Sequence, residues 1–254
     1  MSIFAKATTS GLEKTEDRLG GGFQVLDTGA VDFIIKNAYA DKSSGGANFV
    51  HFEFVSEDGK TKFNKDVYWS NKDGDNFFLN KDDKTKKVPL PGFTIVDDIC
   101  LAATGKALCE QDTDEKQVKI WDKDEKKEVP KPRHVLTDLL DQPVTLGIHK
   151  IKKNKQEKGD NGYVPTAEEV FENDIVKVFH TETKLTMTEA REEHEATFYG
   201  KWVEANPADR VIDKTTFGKG GGAGGAVKSG GLGKAAPQAG SVEAAPKKSL
   251  FGKK

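Results

Sequence analysis

The stretch that most constrains this chain runs from Ala47 to Trp69, ANFVHFEFVSEDGKTKFNKDVYW. Two runs rich in aromatic and β-branched residues flank Glu57, Asp58, Gly59 and Lys60. An Asp-Gly pair between alternating runs predicts a β-hairpin, because the glycine takes a positive φ without steric cost. Side chains alternate between the two faces of a strand. Val50, Phe52 and Phe54 therefore share one face of the first arm, and Phe49, His51, Glu53 and Val55 the other. On the second arm Phe63, Val67 and Trp69 oppose Lys62, Asn64, Asp66 and Tyr68. Tyr68 is thus expected on a polar face, with Lys60, Lys62, Lys65 and Lys72 nearby. An aromatic there has two readings: it stacks on a base, or it lies over its own neighbours.

Strand signals continue on both sides of this hairpin. Gly29 to Tyr39 alternates Val31, Phe33 and Ile35 against Asp32, Ile34 and Lys36, as in an antiparallel sheet with one wet face. The glycines at 20–22 lack the Lys-Ser or Lys-Thr of a phosphate loop and are read as a flexible lead-in. The turn cluster after Trp69 resembles a calcium loop only superficially. With Gly74 at its sixth position, Trp69 and Asn80 stand where carboxylates are required. Pro89 and Pro91 exclude helix from Val88 to Phe93, and Thr94 to Leu108 then takes helical periodicity, with Asp97 and Asp98 in its first turn. A short strand is expected at Lys116–Asp122 and a polar connector at Lys126–Pro132. A helical turn follows at Val135–Leu140, then a strand from Gln142. That strand runs into Lys150, Lys152, Lys153, Lys155 and Lys158, read as a basic loop before a returning arm at Tyr163–Phe179. Met187–Ala205 reads as one amphipathic helix docked by Phe198 and Trp202. His194-Glu195 is no zinc signature, since Phe198 stands where the second histidine belongs.

Charge divides the chain in two. Residues 218–254 hold seven lysines against one glutamate, whereas residues 1–217 hold 32 basic and 40 acidic side chains. The tail also holds 11 glycines and a single aromatic, Phe251. Such a segment buries too little to offset its ordering entropy, so 218–254 is expected to be a disordered Gly/Ala/Lys-rich tail with a basic terminus. The apolar runs are too short to span a bilayer, and no signal-peptide pattern opens the chain, so a cytoplasmic setting is expected. Cys100 and Cys109 are too few for a disulfide framework and lack partners at metal-ligand spacing, and no metal or cofactor is expected.

Five or more short strands, with a helix between the third and fourth, predict a mainly β fold: an OB-like five-stranded Greek-key barrel over residues 1–217, with a few helices. Three runs add a family resemblance: Trp69 to Phe78, Val88 to Phe93 opening a helix, and Leu136 to Ile148. In that order they resemble the single-stranded DNA-binding replication proteins of tailed bacteriophages. The resemblance implies a non-enzymatic protein of a bacterial host's cytoplasm that coats and protects single-stranded DNA in replication and recombination. Bases would stack on Tyr68, with Tyr39, Trp69, Phe77 and Trp121 behind it; Trp69 is equally a core residue by its face. Lys65, Lys72, Lys150, Lys152, Lys153 and Lys155 would follow phosphates. Lys247, Lys248, Phe251, Lys253 and Lys254 would recruit a replication, recombination or transcription protein, although this basic terminus departs from the acidic tails of many single-strand binders. Two other classes compete: a viral structural or assembly protein, and a metal-dependent nuclease using Asp97/Asp98 and Asp112/Asp114.

Overall fold

The structure is a computed structural model, and it describes residues 25–122, 125–159 and 162–217. The glycine-rich lead-in and the whole tail, including Lys247, Lys248, Phe251, Lys253 and Lys254, lie outside the described residues.

The hairpin forms as its sequence dictates. Strand β1 (Gly29–Lys42) pairs with β2 (Asn48–Val55), which pairs with β3 (Lys62–Tyr68), all antiparallel. Gly59 turns the β2–β3 connection at φ 72°, and the register sets Phe54 opposite Phe63 and His51 opposite Asp66. Val50, Phe52, Phe54, Phe63 and Val67 are buried on one face. A β-bulge between Ile35 and Asn37 shifts the phase of β1, so that Phe33, Ile35 and Ala38 join them.

Helix α1 (Pro91–Thr104) covers this inner face with Val96, Ile99 and Cys100. It begins earlier than the sequence predicts, because Pro91 sits at the first helical positions, where a missing N–H costs nothing. It also ends earlier, at Gly105, whose φ of 74° and N–H bond to the Leu101 carbonyl close the last turn. Asp97 and Asp98 consequently fall in the second turn rather than the first. Before α1, the short strands β4 (Phe77–Leu79) and β5 (Lys87–Pro89) pair in a segment expected to be irregular.

Beyond α1 the chain departs further from expectation. Strand β6 (Thr113–Asp122) pairs along its length with β7 (Lys127–Leu136), which includes the predicted connector. Pro130 and Pro132 are two residues apart, so both missing donors fall on one edge of β7. Strands β8 (Pro143–Gly159) and β9 (Gly162–Phe179) form one ribbon of 17 and 18 residues, so the predicted basic loop is strand. The predicted 187–205 helix is broken into α2 (Met187–Arg191) and α3 (Phe198–Ala205), with Glu193 at φ 55° between them. A three-residue strand, β10 (Val211–Asp213), pairs in parallel with β8.

These pairings overturn the five-stranded barrel. Eight strands form one open sheet, ordered β10-β8-β1-β2-β3, with β7 joining β1 to β6 and β9 lying on β8; β4 and β5 form a second sheet. Among the described residues, strand β3 hydrogen-bonds only to β2 and β9 only to β8, so no strand pairing there closes the sheet. Instead α1 packs against both β3 and β9, and the Lys65 ammonium spans the seam to the Asn173 carbonyl at 2.7 Å and the Asp174 carboxylate at 3.3 Å. With the barrel goes the resemblance to phage single-strand binders, which rested on the order of three short runs, and with it the coating mechanism that required a closed OB barrel.

Candidate binding surface

The polar face of the β1–β2–β3 sheet is built by the same alternation that builds the core. Cross-strand neighbours set Tyr39 beside His51 beside Asp66, and Asp41 beside Phe49 beside Tyr68. His51 Nδ1 lies 2.6 Å from Asp66 Oδ1, and its ring stacks on Tyr39 at 4.8 Å. Burial, followed by the nearby charges of Asp66, Glu53 and Asp41, pushes the Tyr39 hydroxyl up to about 12. Arg133 of β7 pairs with Asp41 at 2.8 Å. Asn37 donates to Glu53 at 3.2 Å. The face is therefore an ordered network of paired polar groups with an acidic balance.

The aromatic residues singled out in the sequence separate by placement. Tyr68 is 48% exposed and leans on Phe49 at a ring distance of 5.3 Å. Its main chain is held from behind: a Cβ added at Gly92 of α1 would meet the Tyr68 carbonyl oxygen at 1.9 Å, so only glycine permits this docking of helix on strand. Trp121 is 60% exposed near the end of β6. Tyr39 is buried, Trp69 packs against the main core, and Phe77 is half-buried under the Lys87 ammonium, 4.1 Å from its ring centroid. Tyr163, on β9 beside the ribbon's turn, is 72% exposed and is a residue that the sequence reading passed over. The signal was available, since an aromatic directly after a Gly-flanked turn has few neighbours to cover it.

The lysines separate just as clearly. Lys65 lies on the inner face with Phe63 and Val67 and serves the β3–β9 seam. Lys72 is exposed in the turn after β3. Along the ribbon, Lys150 pairs with Asp27 at 3.0 Å, Lys152 with Glu169 at 2.9 Å, Lys153 with Glu172 at 2.6 Å and Lys155 with Glu168 at 2.8 Å. The sequence displays the lysines as one run and the glutamates as another, fifteen or so residues away. Only the antiparallel register brings them together.

The acidic pairs suggested for a nuclease are occupied in other ways. Asp97 accepts from the Leu108 N–H at 2.9 Å and faces Arg191 at 3.5 Å, while Asp112 lies 3.5 Å from Lys106. Among the described residues, no group of three or more His, Cys, Asp or Glu side chains has a geometry that would hold a metal ion. Cys100 is buried, which pushes its thiol up, whereas Cys109 is exposed. No helix among the described residues is long and apolar enough to cross a membrane.

Comparison with known proteins adds no relative: no protein-family model matches the chain, and no curated protein matches it. The fold and the surface define a mostly-β protein with an open eight-stranded sheet, one polar face of which carries the exposed Tyr68, while Trp121 stands exposed on the opposite face.

Proposed function

We propose that this chain is a non-enzymatic binding protein that docks protein partners through two separate contacts, Tyr68 and Trp121, on opposite faces of the sheet. The observation that carries this reading is that both aromatics stand exposed on paired strands, where neither the core nor a neighbouring side chain covers them fully. Large aromatics held on a rigid support lose little conformational entropy on contact and are enriched among the residues that dominate protein interfaces. The charge pattern favours a protein over a polyanion. Four ribbon lysines are neutralised by carboxylates, and Asp41, Glu53 and Asp66 lie on the same face as Tyr68.

Site-specific photo-crosslinking in the producing cell tests the reading. A benzophenone amino acid is placed at Tyr68, at Trp121 or at the exposed control position Lys81, and the adducts are identified by mass spectrometry. Protein adducts at the first two positions, absent at the third, are expected. Nucleic-acid adducts at Tyr68 or Trp121 would overturn the choice of partner, and equal labelling at all three positions would overturn the surface.

A further inference from the structure

Strand β6 lies at an edge of the sheet. Among the described residues it hydrogen-bonds to β7 alone, with no bulge and no proline from Thr113 to Asp122. We infer that this edge pairs antiparallel with β6 of a second copy of this chain, joining the two sheets across a two-fold axis at Gln117. The inference rests on the docking reading of Trp121 and names the partner at that contact.

A free edge offers a row of main-chain donors and acceptors to any extended segment, and proteins ordinarily bend, shorten or cover such edges. The edge of β3 is flanked by α1 and crossed by the Lys65 side chain. On β6, by contrast, residues 113–117 are all exposed, as are Lys119 and Trp121. Glu115 and Lys119 form no ion pair among the described residues, whereas Lys152, Lys153 and Lys155 of the β8–β9 ribbon each have one. Two opposite charges therefore stand on this edge without a partner in their own chain.

Charge selects both the partner and the register. Side chains of an unbulged strand alternate, so Thr113, Glu115, Gln117, Lys119 and Trp121 share one face. A two-fold axis perpendicular to the sheet keeps that face common to both copies. With Gln117 on the axis, Glu115 of each copy lies opposite Lys119 of the other, and Trp121 lies opposite Thr113. On the reverse face Lys116 lies opposite Val118 and Asp114 opposite Ile120, so no like charges stand directly opposite each other from Thr113 to Trp121. Neighbouring registers fail. Centring on Glu115, Lys116 or Lys119 sets like charges on the axis, and centring on Val118 sets Asp114 opposite Asp122 twice. The ladder ends at Trp121, because one more step would bring Asp112 against Asp122. Glu128 flanks Trp121 on β7, on the side away from the second copy. An edge contact of this length buries less than the roughly 1,200–2,000 Å² of a stable interface, which makes the association reversible and concentration-dependent.

Sedimentation velocity of the full chain, run from micromolar to millimolar concentration, tests the pairing. A monomer–dimer equilibrium is expected. Glu115→Lys or Lys119→Glu alone should weaken it about tenfold, since each turns both symmetric ion pairs into like-charge pairs. An equimolar mixture of the two variants should recover the original affinity, because each supplies the charge that the other needs. Lys81→Glu should leave it unchanged. A benzophenone amino acid at Trp121 should crosslink to residues 112–114 of a second copy. Monomers at every concentration, dimers indifferent to both reversals, or a mixture that fails to recover would each overturn the assignment. Trp121 adducts on a different protein, with the chain monomeric, would overturn it and leave the docking reading standing. Labelling at Trp121 no stronger than at Lys81 would overturn both.

Discussion

Asp98 is the residue whose surroundings and chemistry disagree most. It lies on the buried side of α1 among Val96, Ile99 and Cys100, and burial raises its carboxyl to about 6 although Lys177 and Arg191 pull the other way. A carboxyl raised in the folded state favours folding fully below its unfolded value of 3.8, and that contribution is lost as the pH rises through about 6. Urea unfolding is therefore expected to show this group's contribution growing as the pH falls from 7.5 to 5. Asp98→Asn should stabilise the protein at pH 7.5 by about 2 kcal/mol, discounted for partial solvent access, and should flatten the pH dependence in that window. An unchanged slope in the variant would show that another group titrates there. The sequence places Asp98 near the start of a helix, where a carboxylate is welcome; in the structure it falls in the second turn, on the buried side of α1.

At the scale of elements, a single carboxylate explains why one predicted helix became two. Glu189 accepts from the N–H and hydroxyl of Thr186 at the start of α2, and from the N–H groups of Thr197 and Phe198 at the start of α3. Burial alone would raise its carboxyl, but the hydrogen bonds from Thr186, Phe198 and Thr197 outweigh it and hold the group below the usual carboxylate range. The chain between the two helices folds back so that both N-termini reach the same carboxylate, Thr186 at Oε2 and Thr197 and Phe198 at Oε1, with Glu193 in the left-handed region. Glu189→Ala removes these acceptors together and is expected to cost about 2–4 kcal/mol, read as a lowered urea midpoint. Loss of under about 0.5 kcal/mol, the range of an ordinary surface change, would show that the shared cap is dispensable. A capping pattern at Thr186-Met187-Thr188-Glu189 was legible in the sequence. The second use of the same glutamate, eight and nine residues further on, depends on the fold-back and was not.

The β8–β9 ribbon makes the same point with charge. Its outer half lacks apolar alternation and reads as loop, yet cross-strand Lys–Glu contacts and the ladder itself keep it extended. Nearer the core, Gly147 stands at a register shift where a Cβ would meet the Trp202 ring at 2.9 Å. The ribbon is thus pinned to α3 at a position that only glycine fills without displacement.

At the scale of the whole molecule, the sheet stays open because α1 and one lysine do what strand pairing does in a barrel. Lys65 points inward from β3, and its ammonium crosses to β9. Lys65→Met keeps the stem and deletes the bridge. It is expected to lower stability by about 1–2 kcal/mol, the order of a charge-assisted hydrogen bond, and to speed amide exchange around Asn173 and Asp174 more than in β1 or β2. Uniform exchange changes across the sheet would show that the seam is held by α1 alone.

Sequence by itself determined the hairpin at 48–68, its buried and exposed faces, the presence of a helix after Pro91 and the mainly β character, because turn chemistry and local periodicity act within a few residues. It did not determine whether the sheet closes, which lysines are neutralised, or where α1 and the split helices end. Those outcomes depend on residues more than ten or a hundred positions apart meeting in a particular register, as Lys65 meets Asn173 and Lys155 meets Glu168. Local pattern carries no record of such meetings; only the tertiary structure decides them.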